Sequence, residues 1–226
     1  MATGGHPAVR EGGQAAAPDL AFGVVGAAVA EAAVPAIDLA LRIARTDGGR
    51  VRSIALAVQV RIAAPRRRYD PATQERLLGL FGPPGDWGRS LRSVLWARPT
   101  VMVPPFDDAT VVKVPLPCTY DLEVAASAYL DAVRDGDVPL ELLFSGTVFY
   151  AGDDGRLQAA QLPWDREAAF ALPAGLWREA MDRFFPGARW VRLDEERFDR
   201  LAAFRSRRAL PSWEAAIDAA LDEAEG

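Results

Sequence analysis

The sequence has almost none of the side chains on which most enzyme sites depend. Its 226 residues include one histidine, one cysteine and one lysine, and asparagine is absent. The histidine, His6, lies in a Gly-, Ala- and Pro-rich start without periodicity, which predicts a disordered arm over residues 1–18. A Ser-His-Asp triad or a histidine-ligated metal site needs a firmly held imidazole. The sequence therefore argues against both kinds of site, and we expect no catalytic set, no metal and no cofactor.

The lone cysteine and the lone lysine exclude further classes. Cys118 cannot form a disulfide within the chain or build a cysteine-rich zinc site. Lys113 lies in a segment that alternates like a strand, so we interpret it as a solvent-facing side chain rather than a Schiff-base lysine. The phosphate-binding patterns GxGxxG and GxxxxGKS/T are also missing. Nucleotide chemistry of the common kinds has no support in this sequence.

Composition and charge indicate an ordinary globular protein. Hydrophobic residues make up 50% of the chain, charged residues 25%, and the net charge is −5. Mild acidity argues against a nucleic-acid partner, and the arginine excess is interpreted as GC-rich codon usage. The longest apolar stretch, residues 20–36, is interrupted by Glu31 and Pro35 and is short for a membrane span. We therefore expect no membrane span, no export signal and a cytoplasmic location.

Alternating hydrophobicity predicts a β-rich body. A first strand is expected near residues 20–27. Two alternating runs, 37–43 and 54–62, flank Asp47-Gly48-Gly49 and predict a β-hairpin with one buried face. Further strands are expected within 87–106 and over 110–116. A second hairpin is expected from 138–150 and 157–162 around Asp153-Asp154-Gly155.

Capping signals predict helices, most of them late in the chain. Asp70 and Pro71 start a helix that Gly82 ends, and later helices are expected over 173–185, over 194–207 and from Ser212. A short strand is expected at 190–193. Residues 120–134 fit either a strand or a helix, and we favour a strand that ends in a helical turn.

The predicted architecture is one α+β domain over residues 19–226. An antiparallel, sandwich-like β-rich body spans 20–172, and helices follow over 173–224.

Two kinds of residue could serve an enzymatic or ligand-binding function. Cys118, Tyr120 and Asp121 lie on a Pro-flanked segment, a possible functional loop, although a buried small side chain is the simpler interpretation of the cysteine. Asp121 and Glu123, with Cys118, are the candidates for a carboxylate-dependent hydrolase or lyase, which remains an alternative function. A small-ligand carrier with a pocket inside the sheet is a second alternative.

Loop tryptophans and an arginine turn are the candidates for partner binding. Trp87 and Trp164 lie in Pro- and Gly-flanked segments, where an indole can anchor a protein partner or pack as a lid over the core. Arg66, Arg67 and Arg68 could bind an acidic partner or form a solvated turn. These five residues form the predicted partner-binding surface.

Ordered segments across the chain carry a family resemblance. They include Arg66–Tyr69, Val103–Phe106, Pro115–Val124, Leu143–Tyr150, Leu162–Trp164 and Ala209–Pro211. Over roughly residues 20–220 the chain resembles an uncharacterised actinobacterial family of unknown function, from which it departs in having Ala128 where lysine is expected. The resemblance implies an accessory role beside gene clusters for nickel-iron hydrogenases, and it brings no catalytic residues.

The late layout of strand, helix, strand and helix is also similar to that of a bacterial export chaperone, which is an analogy of fold only. We therefore expect a non-enzymatic accessory or chaperone-like protein. Its partner would be a protein, for example a hydrogenase subunit or maturation factor. The oligomeric state stays open.

Overall fold

Antiparallel strands form the N-terminal body of the protein, and helices dominate its C-terminal part. The computed structural model describes residues 17–119, 121, 124–152, 155–188 and 190–226. The strands are β1 (Leu20–Val29), β2 (Ala36–Arg45), β3 (Val51–Ile62), β4 (Val94–Ala97), β5 (Thr100–Val103), β6 (Ala109–Pro117), β7 (Asp137–Ala151), β8 (Leu157–Gln161) and β9 (Glu167–Pro173). The helices are α1 (Pro71–Arg76), α2 (Leu78–Phe81), α3 (Trp87–Ser90), α4 (Ala125–Ala132), α5 (Gly175–Phe184), α6 (Glu195–Arg207) and α7 (Trp213–Glu225). The predicted α+β class is confirmed. Most of the predicted N-terminal arm, residues 1–16, lies outside the described residues.

The chain divides into two compact units. The first ends at Ala188 and contains β1 to β9 and α1 to α5, and the second contains α6 and α7. The single-domain organisation over residues 19–226 stays a prediction.

The first unit contains two antiparallel sheets. The first sheet has the strand order β1-β2-β6. In the second sheet β3 and β7 are central, β4 and β5 pair with the outer edge of β3, and β8 and β9 pair with the outer edge of β7. β1 lies beside β9, and β6 lies beside β4 and β5, so the two sheets approach each other along both edges. The hairpin of β7 and β8 is confirmed, although Asp153 and Asp154 of its turn lie outside the described residues.

The predicted hairpin between residues 37–43 and 54–62 is wrong. The alternation is real, but β2 pairs with β1 and β6, whereas β3 pairs with β4, β5 and β7. The turn at Asp47-Gly48-Gly49 thus carries the chain from one sheet to the other. Period-two alternation indicates that one face of a strand is buried. One face is buried both in two strands that pair within a sheet and in two strands that lie in different packed sheets, so the pattern does not distinguish them.

Alternate side chains of these strands build the core. In β2 and β3 they are Ile37, Leu39, Leu41, Ile43, Ile54, Leu56, Val58, Val60 and Ile62, and each is almost completely buried. Phe22 and Phe144 stack within the same core, with ring centroids 4.4 Å apart. Each such aliphatic side chain contributes about 1.5–3 kcal/mol when fully removed from water, so the interior supplies most of the driving force.

The edge strand β6 is protected against pairing with other chains. The N–H of Cys118 donates to the carbonyl of Pro35 at 3.0 Å. In this antiparallel register the backbone N–H and C=O groups of the odd-numbered residues of β6 point away from β2, towards the free edge of the strand. Two of those positions, Pro115 and Pro117, have no N–H to offer. The carbonyl of Pro117 already accepts from the Trp96 indole at 3.0 Å. The edge is therefore a poor template for another strand.

Residues 120–134 form a helix over most of their described length, so the favoured strand is wrong. Helix α4 spans Ala125–Ala132, and Ala126, Tyr129, Leu130 and Val133 are buried. These residues follow the helical spacing of three and four. Helix α4 packs beside α2, α5 and β4, and those neighbours decide in favour of the helix.

Most of the other helix predictions are confirmed. The Asp70 carboxylate accepts from the Thr73 N–H at 2.9 Å to cap α1, and Gly82 with φ of 72° ends α2. Asp194 and Ser212 cap α6 and α7 in the same way. No described helix is long and apolar enough to cross a membrane.

The short strand predicted at 190–193 is wrong. Residues 190–193 belong to no strand or helix, and Trp190, Val191 and Leu193 are exposed. Three apolar residues are too few to secure a strand unless a sheet edge is at hand.

Gly146 occupies the one point on β7 where any side chain would collide with the neighbouring strand. Its φ is +151°, and a Cβ atom at this residue would lie 2.1 Å from the carbonyl oxygen of Ala55. The obstacle is backbone of the central strand β3, which cannot move aside without breaking the β3–β7 pairing.

We expect Gly146→Ala to lower the free energy of unfolding by about 2 kcal/mol or more, because it combines a steric clash with a strained φ. Gly88→Ala is the matched control, since its Cβ would meet open space within α3. That control should leave stability unchanged or raise it by up to about 1 kcal/mol. Urea unfolding of the two variants and the parent measures both effects, and equal midpoints for all three proteins would contradict the prediction.

Candidate functional site

The three consecutive arginines have three different environments. Arg67 is the most constrained of them, since its side chain is only 14% exposed. Its guanidinium donates to the carbonyls of Asp135 and Asp137 at 2.8 and 2.7 Å and to the Asp135 carboxylate at 2.6 Å. Arg67 therefore holds the turn between α4 and β7, in which Gly136 has a positive φ of 56°.

Arg66 and Arg68 remain on the surface. Arg66 forms an ion pair with Glu141 of β7 at 2.8 Å, while its side chain stays 63% exposed. Arg68 is exposed, and no described carboxylate pairs with it. Of the predicted arginine surface, Arg68 alone has its charge free among the described residues.

Trp87 packs as a lid. Its indole N–H donates to the Gly82 carbonyl at 2.9 Å, and its ring meets Tyr69 edge-on at 5.3 Å and Phe81 at 6.3 Å. Tyr129 completes this aromatic cluster at 6.3 Å from Tyr69. Such edge-to-face contacts stabilise packing. Trp87 is half-buried and committed to α2 and α3, as the lid interpretation of the sequence proposed.

Two tyrosine hydroxyls meet inside that cluster. The Tyr69 and Tyr129 oxygens lie 2.7 Å apart, and the Tyr69 hydroxyl donates to the carbonyl of Ala64 at 2.7 Å. Burial raises the pKa of both phenols above the ordinary value. Both groups are neutral near pH 7, and they tie the segment after β3 to α4 as hydrogen-bonding partners.

Trp164 has a very different environment. It is 92% exposed, although it is one of the largest apolar side chains in the protein. It lies at the tip of the five-residue connection between β8 and β9, both of which pair with the same edge of β7.

The Trp164 loop, residues 162–166, is held firmly at both ends. The Leu162 N–H donates to the Gly146 carbonyl at 2.9 Å, and the Arg166 carbonyl accepts from the Phe144 N–H at 2.9 Å. The Arg166 guanidinium also pairs with Asp19 at 2.7 Å. The loop therefore presents the indole from a fixed base. The sequence identified Trp164 but did not indicate the Arg166–Asp19 anchor, because the two residues are far apart along the chain.

Cys118, in the segment predicted as a possible functional loop, is buried like a core side chain. Cys118 is buried next to β6, and burial raises the pKa of its thiol to about 12. Asp121 is exposed, and its N–H donates to the Thr119 hydroxyl at 3.2 Å. Tyr120 and Glu123 lie outside the described residues. The assignment of a functional loop here stays a prediction, and a thiolate nucleophile at Cys118 has no support.

The carboxylate-dependent enzyme and the small-ligand carrier both stay predictions. Among the described residues no group of three or more His, Cys, Asp or Glu side chains could hold a metal ion. The inward-facing side chains of β2 and β3 are large aliphatics that fill the space between the sheets, which does not favour a ligand carrier. The surface feature that stands out among the predicted site residues is the Trp164 loop.

The different burial of neighbouring arginines gives a direct mutational test. We expect Arg67→Ala to lower the free energy of unfolding by about 2 kcal/mol, because it removes a largely buried guanidinium that donates three hydrogen bonds to the turn of residues 135–137. Arg68→Ala, one residue along, should change it by no more than about 0.5 kcal/mol. Urea denaturation of both variants measures the difference, and similar losses at the two positions would show that Arg67 is not a structural staple.

Thiol modification tests the environment of Cys118. A shift of its pKa from 9.0 to about 12 lowers the thiolate fraction at pH 8 about a thousandfold. Because the pKa is higher in the folded state, stability is retained at low pH and falls as the pH rises from about 9 towards about 12. We expect the native protein to react with a disulfide reagent at least about 100-fold more slowly than the urea-unfolded chain. Comparable rates would contradict the buried position.

Comparisons with known proteins place the chain in a family without providing an activity. No curated protein matches the sequence significantly. Solved structures with some likeness include beta-glucosidase 3B from Thermotoga neapolitana in complex with glycerol, at 15% identity and a TM-score of 0.25, covering 68% of this chain and 17% of that one. Another is a beta-glucosidase from Kluyveromyces marxianus in complex with glucose, at 14% identity and a TM-score of 0.24, covering 68% and 15%. The chain thus spans less than a fifth of those proteins, and similarity this low carries no argument about its function. A family model matches residues 17–226, and the chain belongs to the family of unknown function DUF6084.

Proposed function

We propose that this protein is a non-enzymatic accessory protein that captures a protein partner through the Trp164 loop. The observation that carries the proposal is a 92% exposed indole on a loop that two backbone hydrogen bonds and one ion pair hold in place. An exposed indole gains nothing for the fold, whereas tryptophan in a desolvated contact is among the strongest anchors of protein interfaces.

A rigid base makes the indole effective as an anchor. Binding costs the entropy of any segment that becomes ordered, and a loop already attached to β7 and to Asp19 avoids most of that cost. Pro163 immediately before the tryptophan restricts the backbone further. The surface that we propose is therefore centred on Trp164, with Trp87 and Arg67 assigned to the fold instead.

The class of partner follows from the family resemblance described above. That resemblance implies a protein of nickel-iron hydrogenase assembly, either a hydrogenase subunit or a maturation factor, met in the cytoplasm. A chaperone-like role agrees with an exposed apolar anchor, since a holding protein needs a contact for apolar segments of its client. These finer assignments are proposals for experiment.

Affinity capture tests the surface. The tagged full-length protein should recover a stoichiometric partner from its native host, identified by mass spectrometry as a hydrogenase subunit or maturation factor. Trp164→Ala should reduce that recovery at least about tenfold, because an interface hot spot contributes about 2 kcal/mol or more.

Leu157→Ala is the control for this experiment. Leu157 is another exposed apolar residue on the neighbouring strand β8, so its loss changes surface hydrophobicity without touching the loop. It should leave recovery unchanged. Equal recovery by parent, control and Trp164→Ala proteins would remove Trp164 from the binding surface, and recovery of the tagged protein alone would argue against the accessory function.

A further inference from the structure

The second unit has two surface patches in which exposed apolar side chains lie beside charges without ion-pair partners, and the two patches have opposite charge. On α6, a groove of about 560 Å³ is lined by Arg197, Arg200, Leu201, Phe204 and Arg207, together with Ala203 and with Ala220 of α7. Arg197 pairs with Asp194. Arg200 and Arg207 are exposed and pair with no carboxylate among the described residues. The groove therefore combines an apolar floor with two uncompensated positive charges.

Helix α7 has the complementary pattern on its outer side. Ile217 and Leu221 are 46% and 54% exposed, one helical turn apart. Asp218 and Glu225 lie beside them on the same side of the helix, and neither pairs with a described cation. By contrast, Glu223 of the same helix pairs with Arg208 of α6. The stripe formed by Ile217, Asp218, Leu221 and Glu225 is thus apolar and acidic where the α6 groove is apolar and basic.

The spacing of the two patterns is the same. On α6, Phe204 lies four residues after Arg200 and three before Arg207. On α7, Leu221 lies four residues before Glu225 and three after Asp218. In both helices the outer charges are about 10.5 Å apart along the axis, because an α-helix rises about 1.5 Å per residue. When the helices run antiparallel, each charge meets its opposite and the two apolar residues meet between them.

We propose that α6 of one chain binds α7 of a second copy in this antiparallel register, and that the protein is a symmetric dimer through its second unit. Arg200 pairs with Glu225 of the second copy, Phe204 packs on its Leu221, and Arg207 pairs with its Asp218. Because each copy offers both patterns, a twofold axis satisfies the same contact twice, and the association closes without leading to a filament.

The observations favour a second copy over other occupants of the groove. A nucleic acid would meet the acidic residues of α7 beside the two free arginines, and the whole chain has a net charge of −5. A second copy neutralises both free arginines and both free carboxylates, and it covers the exposed Ile217 and Leu221 as well.

Charge reversal tests the proposal on the full-length chain. By sedimentation equilibrium the parent protein should have twice the mass of its chain. Arg200→Glu with Arg207→Glu should raise the dimer dissociation constant at least about tenfold, because it places like charges opposite each other twice. Asp218→Arg with Glu225→Arg should do the same. Arg52→Glu with Arg92→Glu changes the net charge as much as the first variant at exposed sites of the first unit, and it should leave the dimer intact.

Mixing the two reversed proteins provides the decisive measurement. In the mixed dimer, glutamates of the first variant face arginines of the second, and the other contact is that of the parent protein. We therefore expect each variant alone to dimerise at least about tenfold more weakly than the parent protein, and the equimolar mixture to recover a dissociation constant close to that of the parent. Restored association also shows that neither variant lost its fold, which circular dichroism checks independently.

Three outcomes would overturn the proposal: a monomeric parent protein at all concentrations, a dimer that the reversed pairs do not weaken, or a mixture that associates no more tightly than either variant alone. None of these bears on the Trp164 loop, which belongs to the first unit, so the proposed function is tested separately.

Discussion

The apolar interior between the two sheets is the constraint on which the rest of the first unit depends. Alternate residues of β2 and β3 supply it, and each is an aliphatic side chain with almost no exposure to water. Because side chains of a strand alternate strictly, burying one set assigns all the others to the surface. The sheet edges, the connecting turns and the loops then have positions that follow from this single arrangement.

Polar interactions act on that scaffold at its periphery. Arg67 attaches the turn between α4 and β7, and Arg166 attaches the Trp164 loop to the start of β1 through Asp19. Each contact joins segments that are distant in sequence, and each replaces bonds to water with bonds inside the protein. These contacts attach the turn after α4 and the Trp164 loop to the sheets, and they leave Trp164 exposed at the tip of its loop.

Sequence patterns predicted those structural features correctly that depend on interactions between residues close together in the chain. The caps at Asp70, Asp194 and Ser212 were predictable because a cap is made within four residues. The pairing of β2 with β1 and β6 was not, because alternation is the same for strands in one sheet and for strands in two packed sheets. The sequence of residues 120–134 fits both periodicities, and the packing of α4 against α2, α5 and β4 selects the helix.

The residues of the candidate site also differ in whether local sequence or distant contacts decide their environment. The sequence by itself determined the composition, the alternating strands, the helix caps and the presence of a single histidine, since these depend on residue type and near neighbours. Only the tertiary structure decided that Trp87 packs against the aromatic cluster while Trp164 is exposed. It also decided that the Arg67 side chain is largely buried and holds a turn, while Arg68 is an exposed surface charge. Exposure depends on which distant segments cover a side chain, and adjacent residues of the same type can therefore have opposite roles.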